Sequence, residues 1–183
     1  MTGFRSPRWA AAALLLCVAA CSRDEASMPA PQEITDAAVA EFCGMSLDEH
    51  PGPKAQIFLA GATSPHWFAS VHDAFAYTML QDEPKDIAAI YVTDMGRVKH
   101  WDHPEPGTWI DAGKAVFVIG SRRRGGMDEN EAVPFGDRAA ADAFIAQYGG
   151  SAVDFAAMPR SYILANGGGA PAMHDANPPA DMN

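Results

Sequence analysis

One short pattern occurs twice in this chain, and it limits the fold more than any other feature. In 66-HWFASVHDAFAYTMLQ-81, Phe68, Val71, Phe75 and Met79 recur every three or four residues. In 137-DRAAADAFIAQYGG-150, Ala140, Ala143, Phe144 and Tyr148 do the same. That spacing lines one face of a helix, and Gly149-Gly150 stops the second one. Both helices carry Asp-Ala-Phe, at 73–75 and 142–144, and an apolar run follows each. Alternating or continuous apolar stretches predict strands at 40–45, 55–60, 88–94, 115–120, 131–135 and 152–156. The order reads strand, strand, helix, strand, and then repeats. Neither half can bury a core alone. The expected fold is therefore α+β, two tandem ββαβ halves (about 34–95 and 109–158) packed together.

The two ends fall outside that pattern. Arg5 and Arg8 precede an apolar run from Trp9 to Ala20, too short to span a bilayer, and small residues end it. The closing Val18-Ala19-Ala20-Cys21 resembles the lipobox of bacterial lipoproteins, in which the cysteine is acylated and becomes the mature N-terminus. Residues 1–20 are then a signal peptide and 21–33 a lipidated, polar tether that holds the domain to a membrane without spanning it. Residues 34–165 form the domain. Residues 166–183, rich in Gly, Pro, Asn and Asp, form a tail expected to be disordered.

Charge narrows the function. The chain carries 13 Lys and Arg against 23 Asp and Glu, a formal net charge of −10, and losing Arg5 and Arg8 with the signal deepens this to −12. An acidic chain argues against a nucleic-acid partner. Its sole basic run, Arg122-Arg123-Arg124, reads as a solvated loop. There is no G-x-S-x-G, P-loop, dinucleotide fingerprint, H-E-x-x-H or C-x-x-C, and no enzyme is expected.

Cysteine usage is more informative. Of three cysteines, Cys17 leaves with the signal and Cys21 takes lipid, so Cys43 stays unpaired in an oxidising compartment. Met45 follows two residues later. Thiolate and thioether are soft donors that together select Cu(I), and positions i and i+2 share a face in a strand. A bend at Gly44 would also bring the two sulfurs together. A third donor is required, and His50, Met127, Met95 and His100 are candidates. Met95 at a strand end also suits packing, whereas His66 and His72 on the first helix suit a surface or half-buried role. Met173, His174 and Met182 lie in the tail, where no defined site forms. Two other uses of Cys43 remain open: the core of a membrane-tethered adaptor, or the nucleophile of a thiol-dependent periplasmic enzyme.

With these residues in place, the chain resembles the NosL family, accessory lipoproteins of nitrous oxide reductase. The resemblance is carried by the lipobox at Cys21, 42-FCGMSLDEHPGPKAQIF-58, 109-WIDAGKAVFVIGS-121, 127-MDENEAVPF-135 and the second Asp-Ala-Phe. It implies a copper chaperone that holds Cu(I) in the periplasm, anchored to the membrane, with the outer membrane the expected side. It implies delivery to nitrous oxide reductase, with the associated ABC-type transporter complex as a further partner. It also implies two ββαβ halves and a metal-binding pair at Cys43 and Met45. At 125-GGMDENE-131 the sequence departs from the Gly-Pro-Met-Gly that the family more often shows.

Overall fold

The computed structural model describes residues 28–126 and 128–165. Strand β1 (Ala55–Leu59) lies between β2 (His66–Phe68) and β3 (Ile87–Thr93), and β4 (Trp109–Asp111) extends the sheet beyond β3. All three pairings are antiparallel. Helix α1 (Val71–Met79) connects β2 to β3. A second antiparallel sheet has β5 (Val116–Ile119) between β6 (Val133–Phe135) and β7 (Ser151–Asp154). Helix α2 (Arg138–Tyr148) connects β6 to β7, and the short α3 (Arg160–Leu164) follows. The chain thus runs β-β-α-β, then β4, then β-β-α-β and α3, and the α+β expectation holds. Among the described residues no helix is long and apolar enough to cross a membrane.

The first half departs from the sequence reading in three places. Residues 40–45 are not a strand. Gly44, at φ +67°, folds the chain back so that its N–H reaches Ala40 O at 2.8 Å and Ala40 N–H reaches Met45 O at 2.9 Å. Only two isolated bridges, Val39 to Ser46 and Ala40 to Trp67, tie this turn to extended backbone. The second strand of the half is instead His66–Phe68, which was read as the opening of a helix. The helix starts at Val71 because Ser70 caps it, its Oγ accepting the Asp73 N–H at 3.3 Å. Strand β4, only three residues long, was not anticipated.

One core joins the halves. Phe75 of α1 meets Phe117 of β5 edge to face at 4.9 Å and Phe155 at 5.0 Å, beside Ala55, Ile57, Phe68, Val71 and Val92. A smaller cluster under α2 gathers Val118, Val133, Phe135 and Ala141. Residues 28–33, assigned above to the tether, run along the first sheet. There Gln32 exchanges two hydrogen bonds with the buried Gln56 at 2.8 and 2.9 Å, and the Tyr91 hydroxyl donates to Pro29 O.

Candidate metal centre

The turn that replaces the expected first strand carries the sulfurs. Cys43 is exposed and unpaired, and Met45 keeps 38% of its surface exposed. Buried Leu47 anchors the next residues, a single 3-10 turn from Leu47 to Glu49, which ends at His50. His50 is only 6% exposed, and its Nε2 lies 3.8 Å from Cys43 Sγ. Metal–sulfur and metal–nitrogen bonds of about 2.3 and 2.0 Å, as at zinc, would make that separation subtend about 120° at an ion. This is a trigonal angle, open to a third donor.

Two contacts hold His50 in place. Lys54 is buried, and its ammonium donates to His50 O and Gly52 O, each at 2.7 Å. Burial pulls the Lys54 pKa down to about 8, against the opposing pull of the Glu131 and Asp48 carboxylates. From the other side, Gly126 lies so close that a Cβ there would stand 2.9 Å from both His50 Cβ and Pro51 O. The 121–131 loop therefore presses on the histidine at the residue just before Met127. Met127 itself, like Cys21, Met173, His174 and Met182, lies outside the described residues.

A second group of donors borders the turn. His72, Asp73 and Glu129 offer ligand atoms within 4.8 Å of one another. They line a cleft of about 500 Å³ together with Phe42, Leu80 and Ile163. His72 is 6% exposed, and neither ring nitrogen has a hydrogen-bond partner among the described residues. Asp73 Oδ1 stands 3.9 Å from His72 Nδ1, an ion-pair rather than a hydrogen-bond distance. Burial lowers the His72 pKa, but Asp73, Glu131 and Glu129 outweigh it, so the net shift is upward. Glu129 is raised by burial and by the Asp73 charge. Behind them Glu131 is fully buried. Its Oε1 accepts N–H groups from His72 at 2.9 Å and Ala132 at 2.8 Å, while Oε2 has no described partner. Burial pushes its pKa up to about 7. An imidazole with two carboxylates is a harder donor set than the sulfurs, suited to a divalent ion rather than Cu(I).

The profile of the NosL family matches residues 31–163, which spans the sulfur turn and both sheets. This chain belongs to the NosL family. It is 45% identical over 154 residues to the copper-binding lipoprotein NosL of Achromobacter cycloclastes, covering 84% of this chain and 80% of that one. It is 29% identical over 153 residues to the copper-binding lipoprotein NosL of Stutzerimonas stutzeri, covering 81% and 76%. The crystal structure of the copper chaperone NosL from Shewanella denitrificans superimposes with a TM-score of 0.67 at 30% identity, covering 72% of this chain and 97% of that one.

Within this NosL fold, the remaining candidates fall away from the sulfur turn. Met95 packs against the cluster beneath α2. His100 is bound to Glu105 at 2.9 Å on the surface. His66 pairs with Glu41 at 2.9 Å and lies against the Tyr77 ring. Of the four sequence-predicted metal ligands, Cys43 and His50 meet directly, and Met45 shares the turn with Cys43. The His72 cluster was missed, since its members lie on α1 and on the 121–131 loop and only tertiary folding joins them. The Ser70-x-x-Asp73 cap was the one local clue, because it places His72 in the first turn of α1.

Proposed function

We propose that this chain is a copper chaperone, lipidated at Cys21 and held at a membrane in the periplasm, whose cargo is Cu(I). The observation that carries the reading is the 3.8 Å approach of Cys43 Sγ to His50 Nε2, on an exposed turn that also holds Met45. Soft sulfur donors favour the reduced ion. An exposed site with few ligands also suits transfer, because an incoming donor can reach the ion without the fold opening. Met45 and Met127 are the thioether candidates for the third position. The relatives' names, copper-binding lipoprotein and copper chaperone, support the same cargo. The proposed recipient is nitrous oxide reductase, alongside its ABC-type transporter complex, the partners that the sequence resemblance implies.

A thiol beside an imidazole is also the arrangement of a cysteine nucleophile, so the deciding experiment must separate the two uses. The reduced chain is titrated with Cu(I) against a chromogenic chelator. The chaperone reading expects about one tightly held ion per chain, lost by roughly 100-fold or more in Cys43→Ser with the fold intact, since hydroxyl is a poor substitute for thiolate. Full Cu(I) affinity in Cys43→Ser sinks the site. Fractionation tests the anchor: Cys21→Ala should leave the membrane fraction and keep its copper.

A further inference from the structure

Five of the 13 Lys and Arg residues lie in two short stretches, Arg97 and Lys99 in one and Arg122, Arg123 and Arg124 in the other. The fold brings Lys99 and Arg123 to the rim of one cleft of about 390 Å³, floored by Trp101, Phe144 and Tyr148. The Arg123 guanidinium lies 4.4 Å over the Trp101 ring and 5.9 Å from the Tyr148 ring, and Trp101 stacks on Phe144 at 6.1 Å. Arg122 is fixed beside them by donating to Gln147 O at 2.8 Å. Among the described residues, none of Lys99, Arg122 or Arg123 forms an ion pair. The nearby Glu105 carboxylate is taken by the Lys99 backbone N–H and by His100. A guanidinium stacked on aromatic rings keeps its N–H edges free for a carboxylate.

We infer that this cleft is a docking site for an acidic segment of a partner protein, one that seats an apolar side chain on the aromatic floor between carboxylates. Charge complementarity selects the occupant: Lys99 and Arg123 line the cleft and Arg122 lies beside it, on a chain of net charge −10, and a concave aromatic floor fits an inserted side chain better than a flat layer of lipid headgroups. The cleft also abuts the copper turn. Trp101 O accepts the Gly52 N–H at 3.0 Å, and the Trp101 ring lies 3.5 Å from the place a Gly52 Cβ would occupy. Gly52 and His50 share the Lys54 ammonium. A partner seated at Trp101 therefore stands beside the copper donors, where electrostatic attraction speeds encounter and fixes orientation. This deepens the chaperone reading and rests on it for the partner's role.

The test uses the chain from Ser22 to Asn183, which contains every described residue, isotope-labelled for NMR. A capped peptide alternating glutamate and phenylalanine should shift the Trp101 indole and Arg123 side-chain signals, and its glutamine counterpart should not. Lys99→Glu and Arg123→Met should each weaken binding by about tenfold, as should high salt. Arg123→Met keeps an apolar chain over Trp101, and melting curves establish that each variant is folded. The inference is overturned by peptide binding indifferent to both variants, by no peptide binding at all, or by binding only to phosphatidylglycerol vesicles. Cu(I) affinity is measured on the same samples. A chain that binds the acidic peptide but no Cu(I) overturns the chaperone reading and with it the copper partner, while leaving an acidic-segment site.

Discussion

The two helices that share Asp-Ala-Phe have opposite fates. In α1, Val71, His72, Ala74, Phe75 and Tyr77 are all buried, and Phe75 stands at the junction of the two sheets. In α2 only Ala141 is fully buried. There Phe144 sits half-exposed between Phe135, Trp101 and Tyr148. The same local pattern thus builds the shared core in one half and the floor of a surface cleft in the other. What differs is the covering. Phe42 of the 38–50 segment and Ile163 of α3 border α1, whereas among the described residues α2 is flanked by Met95 and Trp101 of a loop. The donor groups accumulate where the covering is: Cys43 and His50 on the covering segment, His72 on the covered helix.

Truncating the two equivalent phenylalanines breaks the comparison most directly. Phe75→Ala should cost about 3–5 kcal/mol, the range for a buried aromatic that leaves a cavity. Phe144→Ala should cost about 1–2 kcal/mol, because less area is withdrawn from water and the site can collapse. Urea melts of both variants check this. Equal losses would mean that α2 holds the fold as firmly as α1.

The buried acid beside α1 makes the next largest effect, and a pH-dependent one. Glu131 has its pKa raised by burial from the ordinary carboxylate range to about 7. Its native form therefore keeps a proton that the unfolded chain has already released. Stability from this group is full below about pH 4.5 and falls as pH rises through about 7. His72 and Glu129, also raised, slope the same way. Glu131→Gln should flatten part of the fall and gain on the order of 2 kcal/mol over the wild type above pH 8. Melting temperatures across pH 4 to 9 measure it. A variant with the wild-type slope would place the titration elsewhere.

Helical spacing made α1 and α2 legible, and apolar runs made β1, β3, β5, β6 and β7 legible, because each rests on a local period. The sulfur turn was not, since residues 40–45 read as an apolar stretch and the positive φ of Gly44 reverses the chain there. His66–Phe68 hid inside a helical period for a related reason: Phe68 extends the spacing of α1 by chance, and the Ser70 cap overrules it. Cys43 and Met45 could be singled out from chemistry alone. That His50 was the histidine to meet Cys43 depended on Leu47 and Lys54 being buried around the turn, which no local pattern displays.

A smaller effect should follow from Lys54, which bonds to His50 at the end of the 38–50 segment. Lys54→Met removes two hydrogen bonds to the carbonyls of His50 and Gly52 but also removes a charge that burial disfavours. These oppose each other, so stability should change by only about 1 kcal/mol. Cu(I) affinity should fall by about tenfold, because His50 loses the group that orients its turn. Unchanged affinity would mean that Leu47 and the Gly126 contact hold the turn without Lys54.

The smallest and most local change tests whether the second half reaches the site at all. Gly126 is the residue of the 121–131 loop that lies against His50, where an added methyl would meet His50 Cβ and Pro51 O at 2.9 Å. Pro51 O is backbone and cannot swing aside, so Gly126→Ala must push the loop outward. Overpacking of this kind costs about 1 kcal/mol where a surface loop can yield. The consequence for copper depends on Met127, the next residue. With Met127 as the third donor, Gly126→Ala and Met127→Leu should weaken Cu(I) binding by similar factors, and the double variant should lose little more than either alone, since both remove one contact. With Met45 as the third donor, Met127→Leu leaves the affinity unchanged and Met45→Leu lowers it. Chelator competition on the four variants distinguishes these outcomes. If Gly126→Ala alone weakens binding, the loop acts by pressing on His50 rather than by supplying sulfur, and the covering segment of the first half carries the site by itself.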